Sequence, residues 1–134
     1  IRRLDGQEPK YLMIKGSQNG LFGGYLITRK SAVVLVEGEF DAMAVTNGTF
    51  NRILGVATGS TMGGRRHKDI ARLAQAGHVF VAYDDDEAGQ KASDYWLSIL
   101  PNSSRLVPLA KDCGDMAKDR QNFVQWILKA VENA

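Results

Sequence analysis

Cysteine and net charge are both scarce in this sequence. Cys113 is the only cysteine among the 134 residues, so an internal disulfide is impossible and no zinc site built from several cysteines can form. We therefore expect a protein of the reducing cytoplasm, with no zinc in this part of the chain. The formal net charge is only +2, so binding to nucleic acid would require a local basic patch.

Long apolar runs are also missing. No stretch approaches the roughly 20 apolar residues that cross a bilayer, and the first residues (IRRLDG) lead into polar sequence rather than into a secretory signal. We expect no membrane association. The length fits one compact domain, and the lack of a starting methionine suggests a piece of a longer protein.

Strand-like and helix-like segments alternate along the chain. Residues 32–36 (AVVLV) form a continuous apolar run, which is typical of a strand buried on both faces. Further strands are predicted at 52–57, 78–83 and 105–109, helices at 40–47, 65–76, 87–100 and 122–133, and short strands near 11–14 and 25–28. This order predicts an α/β fold with a mainly parallel four-stranded sheet flanked by helices.

Acidic residues follow three of the predicted strands. Glu37 comes directly after the first, Asp84 and Asp86 come after the third, and Asp112 and Asp115 come after the fourth. The carboxyl ends of parallel strands meet at one edge of a sheet, where ligands bind. Crowded carboxylates repel each other, and Mg²⁺ or Mn²⁺ would relieve that repulsion. The pattern predicts metal-dependent phosphoryl transfer, although such acids also serve as helix caps and turn residues.

The spacing of Asp84 and Asp86 has a geometric meaning. In extended chain, alternate side chains point to the same side. We therefore expect these two carboxylates to share a metal with Glu37, while Asp85 faces elsewhere.

Three short motifs resemble those of a known family. VEGEFDA (residues 36–42) is similar to the Glu-Gly motif of Toprim domains, YDDDEAG (83–89) to their Asp-x-Asp motif, and KDCGD (111–115) to their third acidic element. The form of these motifs, together with PKYL (9–12) and LFG (21–23) ahead of them, resembles the catalytic core of bacterial and phage DnaG-type primases. Residues 1–30 would then be the end of the lead-in that precedes the core, and residues 31–134 the Toprim domain.

The resemblance implies a Rossmann-like Toprim fold and Mg²⁺-dependent synthesis of RNA primers on single-stranded DNA. Glu37 would be a metal ligand or the acid/base near the reacting phosphate, Asp84 and Asp86 would bind metal, and Asp112 and Asp115 would lie nearby and bind a further metal. The partners would be the template, nucleoside triphosphates and a replicative helicase. The zinc-binding module and most of the basic subdomain of primases are missing from the sequence, so we do not expect this chain alone to be active.

Basic residues that could contact phosphates occur in two places. The resemblance assigns Lys10 to nucleotide or template contacts, and Lys15 is the basic residue that approaches the LFG element. Arg65, Arg66 and Lys68 lie in the densest basic run, where they could contact a nucleic-acid backbone. The alternative is a solvated helix start, although positive charges there oppose the helix dipole.

Two other functions fit the same sequence. A Toprim nuclease would use the same metal apparatus to cleave DNA, and a non-catalytic domain would bind only nucleic acid or a partner protein. The primase-like lead-in and the lack of an obvious catalytic tyrosine segment favour the primase.

Overall fold

A computed structural model describes residues 5–7, 15–16, 20–110 and 113–132. Its elements, in chain order, are a 3₁₀ helix (Gly24–Leu26), β1 (Ala32–Val36), α1 (Glu39–Gly48), β2 (Leu54–Ala57), α2 (His67–Leu73), β3 (His78–Val81), α3 (Glu87–Ile99), β4 (Ser103–Arg105), α4 (Cys113–Met116) and α5 (Arg120–Glu132). In this part of the chain, no helix is both long and apolar enough to cross a membrane.

The four strands form one parallel sheet in the order β2-β1-β3-β4. β1 lies in the interior of the sheet, and its register sets Val36 opposite Ala57 of β2 and Leu35 opposite Val81 of β3. The predicted α/β class and the parallel four-stranded sheet are confirmed. Because all strands run the same way, the residues that follow β1, β2 and β3 emerge at one edge of the sheet.

Successive residues of β1 supply two separate cores. Val34 and Val36 pack on one face with residues of α1, α4 and α5, such as Phe123. Val33 and Leu35 pack on the other face with residues of α2 and α3, such as Trp96. This alternation explains why the strand reads as an unbroken apolar run, since neither face meets water.

The short strand predicted at residues 25–28 was wrong. Residues 25–28 were expected to be extended, but Gly24–Leu26 forms a 3₁₀ helix after Gly23, which adopts a left-handed φ of 75°. The only strand-like pairing described near it is the antiparallel bridge of Phe22 to Ala57. Glycine makes this turn possible because it lacks a Cβ. The segment 11–14, also expected to be a strand, lies outside the described residues.

The fourth strand is Ser103–Arg105 rather than 105–109. Its polar, half-buried residues suit an edge strand, which hydrogen bonds on one side only. Of the apolar residues after it, Leu106 is buried, whereas Val107 and Leu109 are exposed. The carbonyl of Val107 accepts a hydrogen bond from Trp126 Nε1 at 3.1 Å. Apolar character alone therefore misplaced this strand.

Gly55 allows α1 to approach β2 unusually closely. A Cβ at this position would lie 2.0 Å from the backbone carbonyl oxygen of Ala42, and backbone atoms cannot rotate away. We predict that Gly55→Ala lowers the free energy of unfolding by about 3 kcal/mol or more, measured by urea denaturation.

Gly59→Ala is the matched control for that substitution. Gly59 has a φ of +77° but its nearest contact would be 3.6 Å away, so the cost should be only that of a left-handed alanine, about 1 kcal/mol. Equal destabilisation by the two substitutions would contradict the close contact of α1 with β2.

Candidate active site

Glu37 lies where β1 ends, immediately before Gly38, the residue that caps α1. Its side chain is half-buried. Backbone hydrogen bonds from the segment after β2 fix its position: the Thr58 N–H donates to the Val36 carbonyl at 3.1 Å and the Gly59 N–H donates to the Glu37 carbonyl at 2.8 Å. The backbone of Glu37 is therefore still hydrogen bonded to the segment after β2, one residue beyond the last strand pair of Val36 with Ala57. The carboxylate projects from this fixed backbone.

Asp84 and Asp86 lie in the short connection between β3 and α3. Asp84 is half-buried, and Asp86 is exposed and caps α3 by accepting a hydrogen bond from the Gly89 N–H at 2.7 Å on Oδ1. A Cβ at Gly89 would lie 2.1 Å from the Asp84 carbonyl oxygen. Glycine at this position thus lets the first turn of α3 pack directly on the backbone that carries Asp84.

The carboxylates are close enough to affect one another. Burial raises the pKa of Glu37 above its ordinary value, and the negative charges of Asp84, Asp86 and Asp41 raise it further. Asp85 acts on a different residue. Burial lowers the pKa of Arg105, and the negative charge of Asp85 partly offsets that lowering. Three of the acids in this electrostatic group, Glu37, Asp84 and Asp86, were named from sequence.

Asp41 is the member of this group that the sequence reasoning missed. It lies in the first turn of α1, and its Oδ1 accepts a hydrogen bond from the Gly114 N–H of α4 at 2.7 Å. The signal was present in VEGEFDA, because an acid in the first turn of a helix that directly follows a buried strand lies at the same edge as the strand end. Asp41 thus connects Glu37 to the α4 segment.

The chemistry of these donors fits a hard divalent cation. Mg²⁺ prefers carboxylate oxygens, and it is usually held by one or two of them together with waters and substrate phosphates. Among the residues that the structure describes, no three His, Cys, Asp or Glu side chains converge closely enough to enclose a metal. An open site with one or two carboxylates from Glu37, Asp84 and Asp86 remains compatible with this arrangement, and these residues would be the ones to hold the ion.

A buried polar network supports the acidic edge, which is the carboxyl end of the sheet that carries Glu37, Asp84 and Asp86. Trp96 Nε1 donates to the Tyr83 hydroxyl at 3.0 Å, and that hydroxyl lies 2.7 Å from Thr58 Oγ1. Thr58 Oγ1 donates its own proton to the Ser60 carbonyl at 2.8 Å, so Tyr83 must donate to Thr58. Burial raises the pKa of Tyr83 to about 12, which keeps the phenol protonated. The network connects the ends of β2 and β3 across β1.

Arg105 supports the same region from β4. Its guanidinium donates to the Val81 carbonyl at 2.9 Å and to the Tyr83 carbonyl at 2.9 Å. The side chain of this edge strand therefore continues the hydrogen bonding of β3 up to the residue before Asp84. No motif identified Arg105, because its role depends on the sheet order.

The predicted basic residues separate into different environments. The Arg65 guanidinium stacks on Tyr95 with 3.9 Å between its Cζ and the ring centroid, and it donates to the Thr61 carbonyl at 3.0 Å. Arg66 forms an ion pair with Asp69 at 2.8 Å. Lys68 is exposed on α2. Arg65 thus has a structural role in addition to any role in binding.

The remaining predicted residues are only partly described. Asp115 forms an ion pair with Lys118 at 2.6 Å and lines a groove between α4 and α5. Lys15 is exposed. Lys10 and Asp112 lie outside the described residues. Metal binding by Asp112 and Asp115, and nucleotide binding by Lys10 and Lys15, therefore stay predictions.

Comparison with known proteins agrees with this fold. A family model described as Toprim-like matches residues 34–118. The Gene 57 protein of Mycobacterium phage D29 is 30% identical over 111 residues, which make up 81% of this chain and 68% of that protein.

Three solved structures are similar to this fold. The primase fragment of the bacteriophage T7 primase-helicase protein has a TM-score of 0.63 at 23% identity, and the match covers 83% of this chain but only 48% of that one, so this chain spans about half of it. A structure of T7 lagging-strand DNA polymerase interacting with primase domains of two gp4 subunits, bound to an RNA/DNA hybrid and dTTP, has a TM-score of 0.70 at 24% identity over 95% of this chain and 67% of that one. The small Toprim domain protein of Bacillus stearothermophilus has a TM-score of 0.61 at 22% identity, and the match covers 75% of this chain and 86% of that one.

The repulsion at Glu37 leads to a prediction about stability. Because its folded pKa is raised, the folded state binds the proton more readily than the unfolded state. Above its raised pKa, ionised Glu37 therefore destabilises the folded state. This destabilisation disappears as the pH falls towards 4.5, the ordinary pKa of a glutamate side chain. Without metal at pH 7, Glu37→Gln should raise the melting temperature by about 2 °C, a small effect because solvent screens a half-exposed charge.

The same experiment at low pH provides the internal test. The difference between Glu37→Gln and the parent protein should vanish near pH 4, and Glu132→Gln, at an exposed acid of α5, should have no effect at either pH. A Glu37→Gln protein that is less stable than the parent at pH 7 would contradict the repulsion.

Another prediction concerns the Tyr83 hydroxyl. Tyr83→Phe keeps the ring but leaves the buried Trp96 Nε1–H without its partner, which should cost about 2 kcal/mol of unfolding free energy. Urea denaturation measures this. Tyr25→Phe, at a tyrosine that is 79% exposed, should change nothing. No loss of stability in Tyr83→Phe would exclude the network as a support of the acidic edge.

Proposed function

Since this chain belongs to the Toprim-like family, we propose that it supplies the metal-binding part of a primase-type nucleotidyltransferase. The reaction would be Mg²⁺- or Mn²⁺-dependent synthesis of RNA primers on a single-stranded DNA template. In each step a nucleotide hydroxyl attacks the α-phosphate of a nucleoside triphosphate, a new phosphodiester bond forms and pyrophosphate leaves. The partners would be the template, nucleoside triphosphates and a replicative helicase.

The observation that carries this proposal is that parallel β1 and β3 bring Glu37, Asp84 and Asp86 to one edge of the sheet, where their charges act on one another. Carboxylates held together at a cost in repulsion indicate a use for their combined negative charge. A bound Mg²⁺ neutralises charge on the phosphates and aligns the attacking and leaving oxygens. Glu37 and Asp84 are half-buried, so their orientation is restricted before substrate arrives.

Each residue has a distinct role in this proposal. Asp84 and Asp86 bind metal, and Asp86 can use Oδ2 while its Oδ1 caps α3. Glu37 binds metal or moves the proton of the attacking hydroxyl, a role that its position at the end of β1 beside Asp84 and Asp86 supports. Lys10 and Lys15 would contact nucleotide or template, and Asp112 and Asp115 would hold a further ion. Residues 1–30 would be the end of a primase lead-in.

Two features favour a primase over a Toprim nuclease. The sequence before β1 contains the PKYL and LFG elements, and Phe22 of LFG pairs with Ala57 at the carboxyl end of β2. The lead-in is therefore joined to the sheet beside the acidic edge. In addition, two of the similar solved structures contain a primase fragment or primase domains of bacteriophage T7.

The test measures primer synthesis and DNA cleavage side by side, using the full-length protein that contains this chain. We predict Mg²⁺-dependent RNA primer synthesis, and at least about a hundredfold loss in Asp84→Asn, because even residues that only support metal ligands contribute 10- to 100-fold. The control is Asp94→Asn, an exposed acid on α3, which should retain activity.

The alternatives predict different outcomes in the same assay. Nicking of DNA without primer synthesis would reject the primase in favour of a nuclease. Neither activity, together with unchanged nucleic-acid binding in Asp84→Asn, would favour a non-catalytic binding domain.

A further inference from the structure

A basic cleft lies between α2 and the segment that contains the 3₁₀ helix. Its volume is about 270 Å³, and its lining includes Tyr25, Arg66, Lys68, Asp69 and Arg72. Leu21 and Gly24 form its apolar floor. Three cationic side chains and one exposed aromatic ring thus surround one opening.

The described residues of this cleft do not balance its positive charge. Asp69 is the only acid among them, and that carboxylate is buried and paired with Arg66 at 2.8 Å. Lys68 and Arg72 are exposed, and neither forms an ion pair with a carboxylate among the described residues. The cleft therefore presents two uncompensated cations, in a chain whose net charge is only +2.

Tyr25 adds an aromatic face to this charge. It is 79% exposed and contributes nothing to the core. The turn that carries it is well anchored, because the buried Gly24 follows Gly23 in the left-handed region and Phe22 is hydrogen bonded to Ala57. The ring is thus presented to solvent on an ordered support.

The position of the cleft relates it to the acidic edge. The loop from residue 58 to residue 66 leaves the carboxyl end of β2, beside Glu37, and leads to Arg66 at the start of α2. Phosphates are repelled by the carboxylates and attracted by the cations. A strand whose reacting phosphate is held through metal at the edge would find favourable contacts for its flanking phosphates in the cleft.

We propose that this cleft binds single-stranded nucleic acid, with backbone phosphates on Lys68 and Arg72 and a base stacked on Tyr25. Single strands are bound in this way by basic grooves with aromatic platforms. The proposal rests on the proposed function for the presence of nucleic acid at the acidic edge, but binding in the cleft requires neither metal nor catalysis.

The experiment measures binding of a fluorescent oligothymidylate to the 134-residue chain, by anisotropy, in EDTA and over a range of salt concentrations. Lys68→Ala/Arg72→Ala should weaken binding about tenfold or more at low salt. It should also reduce the slope of log affinity against log salt by about 1.4, the value for losing two phosphate contacts on a single strand. Tyr25→Ala should weaken binding about tenfold with little change in the slope, whereas Tyr25→Phe should bind like the parent.

Arg29→Ala/Lys30→Ala is the matched control, because it removes two exposed cations that precede β1 at the opposite edge of the sheet. An equal effect of the two double substitutions would overturn the proposal in favour of general charge attraction. Displacement of the oligonucleotide by equimolar ATP would also overturn it, because the cleft would then take free nucleotides.

A further variant separates this proposal from the proposed function. Glu37→Gln/Asp84→Asn should abolish catalysis by the full-length protein and leave oligonucleotide binding in EDTA intact. Loss of binding in that variant would show that the acidic edge, rather than the cleft, determines affinity, and would overturn the proposal. Thermal unfolding of each variant verifies that the exposed substitutions leave the fold unchanged.

Discussion

Parallel pairing of β1 with both β2 and β3 determines where every acid of the site lies. Val36 of β1 is opposite Ala57, and Leu35 is opposite Val81. The segments that follow the three strands therefore leave the sheet side by side. Glu37 and Asp84 are brought together by this register alone. An antiparallel β3 would move Asp84 to the other end of the sheet.

Carboxylates gathered in this way weaken the fold that gathers them, and the surrounding structure offsets that cost. The raised pKa of Glu37 records the repulsion. On one face, the hydroxyl of Tyr83 connects Thr58 and Trp96 within the core, while Arg105 hydrogen bonds to the carbonyl of Tyr83 from β4. These hydrogen bonds hold Tyr83, the residue before Asp84, through both its hydroxyl and its carbonyl, so the edge can hold its charge without the strands separating.

The sequence predicted the parts of the fold that depend on burial and missed those that depend on neighbours. β1 was predicted at its observed bounds because both of its faces are apolar. β4 was misplaced because Ser103 and Ser104 give no apolar signal, and an edge strand does not need one. Similarly, Glu37, Asp84 and Asp86 follow from the order of elements, and so would Asp41, whereas Arg105 acts through contacts with the neighbouring strand β3. No local pattern encodes such contacts.

The central claim is that the carboxylates of Glu37, Asp84 and Asp86 bind a divalent cation, and calorimetric titration with Mg²⁺ or Mn²⁺ tests it most directly. We predict that the 134-residue chain binds the metal and that Asp84→Ala/Asp86→Ala abolishes the binding. A protein with Asp94→Ala and Glu132→Ala, which loses the same charge at exposed positions of α3 and α5, should bind like the parent. Equal metal affinity in the parent and in Asp84→Ala/Asp86→Ala would contradict the claim.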